Sequence, residues 1–573
     1  MRISVKMGMH TDTRAQWGTK VVRLALFFVL VQVVWLLAAG GAAAASAAVE
    51  RCHINATKFV DMQLPDCGLQ RAINAAAEQG GGIVALPAGT FPLRRGLVLR
   101  DNVEIVGAGM DKTILTPARK VIRLDVIADS PKDGKVFLKE IPPDLEVGSA
   151  VVAESQYPPS WYGSPRPAWV TAVDRETKTV TLEAPYGLPA MKAGMGYLVF
   201  GDTAALERSV KKGDTEIVLK NANLFRPGDE LAIGEPPNES MLAHAFVREV
   251  RGNTLVLEEP ARIDFEAWPD AQKIGNTKIN ALIFALFPMV HGANVKNAAV
   301  RDLTVQGHSM ERIRTMQSRY TLSGVHLFNA INCRLERVAV RNWHADGISI
   351  QTGDRCTIAD CEATGNLGNG LHPGTGLTNS VIERCLSSGN GAGCYFCWHN
   401  RGHILRDNRF VRNRGGGITG LGNPGDRNNT VENNLIAENG GPGIEINGGQ
   451  KSGNIIRNNL IENNSQAAPG KHPGIALYAS VEDARNYTIT GNTIRDTQAN
   501  STQWVGIEEK NGKYRDKPTY ADENIIRGNR FSGHKTADIV IAGAATVCED
   551  NGEAKVVKNI TPEATEAPKT GQK

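Results

Sequence analysis

A short pattern recurs through the second half of the chain: a glycine, an apolar residue, a variable third residue and a fourth residue that is mostly apolar. Its eight copies are spaced by 23 to 32 residues and begin at Gly324, Gly347, Gly370, Gly393, Gly417, Gly443, Gly474 and Gly506. A fixed period of about 20 to 50 residues is typical of repeat proteins, in which each unit buries its apolar side only by stacking on the next. The pattern therefore predicts a β-solenoid with one copy in each coil.

A second strand follows each copy from residue 357 onward and carries two aligned columns. The inward aliphatic column contains Ile358, Ile382, Leu405, Val431, Ile456, Ile489 and Ile526. The neighbouring column contains Cys361, Cys385, Asn408, Asn434, Asn459, Asn492 and Asn529. Stacked asparagines hydrogen-bond to one another and to turn backbone, so this column predicts a structural ladder at a bend of every coil. We predict that the two cysteines are small buried members of the same ladder, not metal or redox groups.

Length and composition agree with an elongated repeat. A chain of 573 residues exceeds one ordinary compact domain, and 60 glycines beside 41% hydrophobic residues indicate many turns around a real core. The formal net charge of +4 gives no general case for binding nucleic acid. We therefore expect no nucleic-acid partner, and we predict a monomer.

The N-terminus has the three regions of a secretory signal. Basic residues precede the apolar run Leu24–Leu37, and small residues end at Ala45-Ser-Ala47. We predict a signal peptide over residues 1–48 and a secreted or periplasmic protein without a stable membrane span. An uncleaved membrane anchor is the alternative, although the run is shorter than the roughly 20 residues of a spanning helix. In an oxidising compartment, Cys52 and Cys67 could form a disulfide.

Residues 49–129 are predicted to cap the solenoid and to form its first coils. Residues 66–79 have apolar residues at helical spacing, Asp66 as N-cap and a stop at Gly80–Gly82. Short strands are expected over residues 83–91, 97–99 and 103–109. This passage resembles the N-terminal segment of the pectate-lyase-like superfamily, in which an "AI..A...GGG.V.LPAGTY" run precedes "V.I.G.G...T.L". The resemblance implies an all-β, right-handed parallel β-helix with a short N-terminal capping helix.

The remaining chain divides into three segments. Residues 130–275 lack the asparagine column and read as a β-rich insertion. This insertion carries an internal duplication, because Phe137–Lys139 and Val180–Pro185 are echoed by Ile217–Lys220 and Leu255–Pro260. The main β-helix is predicted over residues 276–545, and residues 546–573 are predicted to be a partly disordered tail.

Side chains alternate between the two faces of a strand, so the third residue of each copy should face away from the core. That position is His326, Ser349, His372, Tyr395, Thr419, Glu445, Ala476 and Glu508 in successive copies. Stacked coils are about 4.8 Å apart, so neighbouring members should lie side by side. Polar residues at this position are explained in part by contact with water, but two histidines, a tyrosine and an acid within about five coils predict a reactive groove.

Charged residues flank this groove. Asp346 precedes its coil's glycine, and Asp354, His399, Arg401 and Asp426 lie in the loops that follow the first strands. Further arginines lie before Gly324 (Arg312, Arg314, Arg319) and after Tyr395 (Arg406, Arg409, Arg412, Arg414). Since arginine grips a carboxylate through two hydrogen bonds, a basic surround beside His and Tyr favours an anionic chain such as a uronate polysaccharide.

The predicted chemistry is removal of the C5 proton of a uronate. Arginine would neutralise the carboxylate, His or Tyr would take the proton, and a second group would protonate the leaving oxygen, which gives β-elimination. The predicted catalytic residues are His372, Tyr395, His326, Arg401 and Asp346, and the predicted substrate-binding residues are Glu445, Asp354, His399 and Ser349. No metal site is predicted; calcium could assist by binding uronate carboxylates, but no compact acidic cluster requires it.

Three alternatives remain open on the same fold. Residues 344–350 resemble part of the "NTDG.D" motif of polygalacturonase-type hydrolases, with Asp346 at the first acid but Ser349 at the second. Residues 362–370 resemble the "N.A..NG..G" rhythm of secreted mannuronan C5-epimerases, whose Asp-Pro-His signature is absent. The third alternative is a non-catalytic carbohydrate-binding or surface protein.

Overall fold

A computed structural model describes residues 52–559, apart from 131–132, 156–165, 185–186, 235–241, 268–272, 275–276, 279–281 and 309–319. The predicted signal peptide, Arg312, Arg314, Arg319 and the last fourteen residues of the predicted tail lie outside this part of the chain. Within it, no helix has the length and the apolar character that crossing a membrane requires.

Two long parallel sheets form the body of the molecule, which confirms the predicted parallel β-helix. Sheet A has twenty-two strands among the described residues: Cys52–Asn55, Gly82–Ala85, Gly89–Leu93, Val103–Val106, Thr113–Pro117, Ala299–Gln306, Arg334–Arg341, Thr357–Ala359, Glu362–Thr364, Val381–Glu383, Leu386–Ser388, Ile404–Arg406, Arg409–Val411, Thr430–Glu432, Leu435–Ala437, Ile455–Arg457, Leu460–Glu462, Thr488–Thr490, Thr493–Arg495, Ile525–Arg527, Arg530–Ser532 and Val547–Glu549. Sheet B has thirteen: Leu97–Val98, Val290–Ala293, Val325–Ile331, Ile348–Asp354, Asn369–Pro373, Leu377–Thr378, Ala392–Tyr395, Ile418–Leu421, Ile444–Ile446, Ile475–Tyr478, Val505–Lys510, Ala537–Ile541 and Val556–Lys558.

From residue 357 to residue 532 each coil contributes two short strands to sheet A. Most of these coils contribute one strand to sheet B; the coil with Asn369–Pro373 and Leu377–Thr378 contributes two. The two sheet A strands form separate ladders, as Thr357–Ala359 pairs with Val381–Glu383 while Glu362–Thr364 pairs with Leu386–Ser388. The predicted aliphatic column lies inside the coils, where its seven side chains are at most 2% exposed. The apolar core therefore runs along the length of the solenoid.

The predicted asparagine ladder is present. Nδ2 of Asn434 donates to Oδ1 of Asn459 at 3.0 Å, and the same bond links each neighbouring pair from Asn408 to Asn529. The backbone N–H of Cys385 donates to Asn408 Oδ1 at 2.9 Å, and the Cys361 thiol donates to a backbone carbonyl at 3.3 Å. These buried cysteines thus occupy the structural positions predicted for them.

A second ladder, not predicted from the sequence, lies at the next bend of the coils. Its members are Asn366, Asn390, Asn413, Asn439, Asn464 and Gln503, joined by amide–amide bonds of 2.9 to 3.1 Å. All six side chains are buried. Two rows of amides therefore satisfy polar groups at two bends of each coil from residue 408 to residue 503.

The N-terminal cap contains the predicted helix, which spans Leu69–Glu78. The prediction of Asp66 as N-cap is wrong: Gly68 occupies that position with positive φ, and Asp66 Oδ1 accepts from the Gly68 N–H at 2.8 Å in the preceding turn. The helix buries Leu69, Ala72, Ile73 and Ala76 against the first strands. Cys52 and Cys67 are free thiols, so the predicted disulfide between them is absent.

The β-rich insertion consists of two antiparallel sheets of equivalent strand order. The first contains Ile122–Asp125, Lys135–Phe137, Ala150–Ser155, Arg166–Asp174, Thr179–Glu183 and Gly196–Phe200. The second contains Thr203–Ala205, Glu216–Val218, Glu230–Gly234, Leu242–Arg251, Thr254–Leu257 and Leu282–Phe284. Minor elements are the strand pairs Lys273–Ile274 with Thr277–Lys278, Ala484–Arg485 with Ala521–Asp522 and Gly512–Tyr514 with Lys517–Thr519, and the 3-10 turns Ala56–Phe59 and Tyr320–Leu322.

Ion pairs and hydrogen bonds fasten the insertion to the first coils. Arg94 binds Asp229 at 2.6 Å, and Arg95 makes two bonds to Glu258 at 2.9 and 3.2 Å. The buried Glu230 accepts from the backbone N–H of Gly96 at 2.9 Å. The insertion is therefore held against the N-terminal end of sheet B.

We predict that Asn434→Ala lowers the free energy of unfolding by about 2–4 kcal/mol, because it leaves buried groups on Asn408 and Leu405 without partners. Urea denaturation followed by circular dichroism measures the loss. Asn500→Ala, at an exposed position, is the matched control and should change stability by less than about 0.5 kcal/mol. Equal stability of the two variants would contradict a structural role for the ladder.

Candidate functional site

The predicted outward positions form one continuous row across sheet B. Strand pairing sets His326 beside Ser349, Ser349 beside His372, and His372 beside Tyr395. The row continues to Thr419, and it extends one coil further toward the N-terminus than predicted, because His291 pairs with His326. We call these residues, from His291 to Glu508, the sheet B row.

The row faces away from the core but is more covered than predicted. Ser349 is fully buried and His372 is 4% exposed, whereas His326, Tyr395, Thr419 and Glu445 are partly exposed. Neighbouring side chains account for the difference. The His372 ring is in edge-on contact with Tyr395 (centroids 5.1 Å apart) and with Tyr320 (5.9 Å). His372 is therefore buried within the row by the rings of the two tyrosines.

Asp346 orients His372. Its Oδ2 lies 2.6 Å from His372 Nδ1, and its Oδ1 accepts from the backbone N–H of Asn369 at 2.6 Å. Gly368 makes this approach possible, since a Cβ there would lie 2.1 Å from Asp346 Oδ1. The buried Nε2 of His372 has no hydrogen-bond partner within the protein. An imidazole held at one nitrogen and unpaired at the other is the arrangement of an oriented acid or base.

The environment favours the charged form of His372. Burial opposes that charge, but the hydrogen bond with Asp346 and the interaction with Cys397 outweigh it and raise the pKa of His372 to about 9. Burial raises the pKa of Tyr395 to about 12, and the nearby Cys397 adds to the shift. At neutral pH the site therefore contains an imidazolium beside a neutral phenol.

At the N-terminal end of the row, burial favours the neutral form of histidine. Burial, with smaller contributions from His244, His291 and His372, lowers the pKa of His326 to about 3. Nδ1 of His326 is buried without a hydrogen-bond partner. His244 belongs to the insertion and lies 3.1 Å from Glu230 Oε1. A neutral imidazole thus lies two coils from the charged one.

Two carboxyl groups near the C-terminal side of Tyr395 favour their protonated forms. Burial raises the pKa of Asp426 to about 9, although Oδ1 accepts from the backbone N–H of Asn400 at 2.7 Å. Oδ2 of Asp426 has no hydrogen-bond partner. Burial also raises the pKa of Glu445. Asp426 is therefore protonated at neutral pH and can donate a hydrogen bond toward a neighbouring ligand.

Two exposed aromatic side chains flank the row. Tyr320 is 39% exposed and contacts both His326, with ring centroids 6.3 Å apart, and His372. Trp398 is 54% exposed and follows Cys397, and its carbonyl accepts from the Gly376 N–H at 2.8 Å. Exposed aromatic faces beside polar groups are suited to the mixed apolar and polar surface of a sugar ring.

Three predicted site residues lie outside the row. Arg401 belongs to a ladder of turns with Thr378 and Arg427, and its Nε donates to the Gly425 carbonyl. Asp354 ends its strand five residues beyond Ser349 and accepts from Thr378 and Asn379 at 2.8 Å. His399 is exposed in the following turn. Arg401 and His399 follow the strands and Asp354 is the last residue of its strand, so none of the three lies on the row and their predicted roles rest on the sequence alone.

The described residues contain no cluster of three or more His, Cys, Asp or Glu side chains with the geometry to hold a metal ion. The reactive groups that sequence reasoning missed are His291, Tyr320 and Cys397. Two of them had a signal. Val290–Ala293 has the same Val-His pair as Val325-His326, and Cys397 follows Tyr395 by the two-residue period of a strand.

Comparison with known proteins concerns the fold. Residues 323–494 match the family model described as a right handed beta helix region. Comparison with the curated proteins gives no match.

Solved structures of similar architecture are mannuronan C-5 epimerase modules from Azotobacter vinelandii and an exopolygalacturonase from Thermotoga maritima. The AlgE6 A-module is 15% identical, with 89% of this chain and 100% of that chain covered and a TM-score of 0.44. The AlgE4 A-module is 17% identical, with 87% and 100% covered and a TM-score of 0.44. The exopolygalacturonase is 12% identical, with 88% and 92% covered and a TM-score of 0.38. At these values no reaction or substrate carries over to this chain.

The family model supplies the handedness that the strand ladders alone do not state. Together, the matched region and the two stacked sheets identify the chain as a right-handed parallel β-helix protein.

Proposed function

We propose that this chain is an exported enzyme that acts on an acidic, uronate-containing polysaccharide, removes the C5 proton of a uronate and cleaves the chain by β-elimination. One observation supports the proposal: His372 and Tyr395 lie side by side on the outward row of sheet B, and Asp346 binds His372 from the preceding coil, which sets a charged imidazole next to a neutral phenol. The similar structures named above are a mannuronan epimerase and a polygalacturonase, but the proposal does not depend on them.

His372 takes the role that sequence reasoning gave to Arg401. Removing a C5 proton places negative charge on the uronate carboxylate, so a nearby cation is needed to stabilise that charge. The imidazolium of His372, fixed by Asp346 at Nδ1, offers Nε2–H to a carboxylate oxygen. Arg401 faces the turn ladder and has no contact with the sheet B row among the bonds of the described residues.

Tyr395 and His326 are suited to the two proton transfers. Tyr395 is partly exposed and protonated at neutral pH, so it can donate its proton to the leaving glycosidic oxygen. His326 is neutral at neutral pH and its Nδ1 is unpaired, so it can accept the C5 proton. The two residues lie three coils apart, roughly 14 Å between backbones. The rings of Tyr320 and His372 lie between them, since Tyr320 contacts both His326 and His372, and His372 contacts Tyr395.

We predict that incubation with polygalacturonate, alginate or a glycosaminoglycan produces the ultraviolet absorbance of an unsaturated uronate. Tyr395→Phe should lower kcat by about 10²- to 10⁴-fold, because it removes the proton donor. Tyr478→Phe, on the same sheet and bonded to Glu508, is the matched control and should retain activity.

Other outcomes separate the alternatives. Proton exchange at C5 without cleavage would replace elimination by epimerisation, and new reducing ends without absorbance would replace it by hydrolysis. Binding of these polysaccharides without any turnover would contradict the enzymatic proposal and favour a carbohydrate-binding protein.

A second prediction concerns pH. The pKa of folded His372 is about 9, above its ordinary value of 6.5, so the charged pair with Asp346 contributes its full stability below pH 6.5 and loses it as pH rises through about 9. The difference in unfolding free energy between the wild type and Asp346→Asn should therefore shrink across this range. Urea denaturation at each pH measures it.

Asp360→Asn is the control for this titration. Asp360 makes two bonds of 2.9 Å to Arg384, whose charge does not change in this pH range, so its effect on stability should stay constant. An Asp346→Asn effect as flat as that of Asp360→Asn would contradict a raised pKa of His372.

A further inference from the structure

Cys397 lies at the C-terminal edge of the proposed reactive group. It follows the strand Ala392–Tyr395, and its backbone N–H donates to the Pro373 carbonyl at 3.2 Å. It is two residues beyond Tyr395, so its side chain emerges on the same side of sheet B. Cys397 is partly exposed, whereas six of the nine cysteines are buried.

Polar groups surround the thiol. Its Sγ lies 2.9 Å from Thr375 Oγ1. The backbone bond to Pro373 brings Cys397 next to His372, the preceding residue on the neighbouring strand, and the thiol and the imidazole interact electrostatically. The imidazole is oriented at Nδ1 by Asp346 and has no hydrogen-bond partner at the buried Nε2. A thiol, an imidazole and a carboxylate in this order form the arrangement by which proteins activate a cysteine nucleophile.

The charges around Cys397 act in both directions. Burial opposes ionisation of the thiol, but the interaction with His372 and the hydrogen bond with Thr375 outweigh it and lower the pKa of Cys397. Tyr395 and Asp426 interact electrostatically with the thiol, and both favour their neutral forms at neutral pH, so neither adds a negative charge that would oppose ionisation. The net effect favours ionisation of the Cys397 thiol next to His372.

We propose that Cys397 is a nucleophilic thiol that reacts with small disulfides and becomes a mixed disulfide beside the sheet B row. The Cys397 thiolate attacks one sulfur of the disulfide; a new S–S bond joins Cys397 to that half, and the other half leaves as a thiolate that takes a proton from solvent. No further oxidant is needed, because the small disulfide is itself reduced. A thiol reverses the reaction by the same exchange.

The modified group would lie beside His372 and Tyr395, so the mixed disulfide should block the proposed reaction on polysaccharide. This consequence rests on the proposed function, but the reactivity of the thiol does not. Thiol chemistry can therefore be measured without any polysaccharide, and the two proposals can fail separately.

Cys548 is the matched control. It is also free and partly exposed, but burial raises its pKa and no histidine contacts it among the interactions of the described residues. Cys52 is the third partly exposed cysteine. If exposure alone determined reactivity, these thiols would react at the same rate as Cys397. If His372 activates Cys397, Cys397 reacts faster than they do.

The test follows the reaction of the folded chain with dithiodipyridine, whose reduction releases a coloured thione, from pH 5 to pH 9. We expect one fast thiol whose rate midpoint lies below the roughly 8.5 of an ordinary cysteine. The fast phase should vanish in Cys397→Ser and persist in Cys548→Ser, and peptide mass spectrometry should locate the adduct on Cys397.

Two further variants test the activation of the thiol. Asp346→Asn should slow the fast phase about tenfold at pH 7, because it removes the group that holds His372 charged. Thr375→Val, which deletes only the hydroxyl that contacts the thiol, should slow it less and keeps the test valid if Asp346→Asn unfolds. A fast phase that survives Cys397→Ser, or a Cys397 rate midpoint at or above that of an ordinary thiol, would overturn the proposal.

Discussion

The hydrogen bonds between equivalent amides of successive coils fix the register on which the rest of the molecule depends. Asn434 bonds to Asn408 and Asn459 through its side chain, and the second ladder repeats this pattern one corner away. A one-residue slip between coils would break both ladders and turn an aliphatic column toward solvent. Because the ladders oppose that slip, equivalent residues of successive coils lie side by side from residue 366 onward, apart from a register shift between Ile418 and Leu421.

This register converts distant sequence positions into one site. His326, His372 and Tyr395 are separated by 46 and 23 residues, yet strand pairing brings them into one row. The position of these residues on the sheet does not by itself determine their protonation. Burial pushes His326 toward its neutral form, whereas Asp346 holds His372 in its charged form, so two identical side chains two coils apart have opposite protonation at neutral pH. Such a separation of pKa values within a small area is what acid–base chemistry requires.

The fold could be predicted from the repeat, because its period, its aliphatic column and its first asparagine column can each be read from the residue types at equivalent positions. The repeat also predicted the outward row, since alternation along a strand is a local rule. The pairing of Asp346 with His372 was not predictable, because Asp346 lies in a turn and reaches the next coil only through the close approach at Gly368. Arg401 failed to join the row for the related reason that residues after a strand follow the turn, whose path the repeat does not specify. For the same reason, Tyr320 and the N-cap at Gly68 could not be predicted from the sequence.

We propose that a uronate polysaccharide binds to the sheet B row around His372 and Tyr395. A crystal structure of Tyr395→Phe, which should bind without turnover, soaked with an oligouronate of the polymer that the protein binds best, tests this most directly. We expect a sugar ring in contact with position 395, with its carboxylate at Nε2 of His372 and an aromatic face of Tyr320 or Trp398 against it. An oligosaccharide bound elsewhere, on the asparagine turns or on the insertion, with the row unchanged, would contradict it.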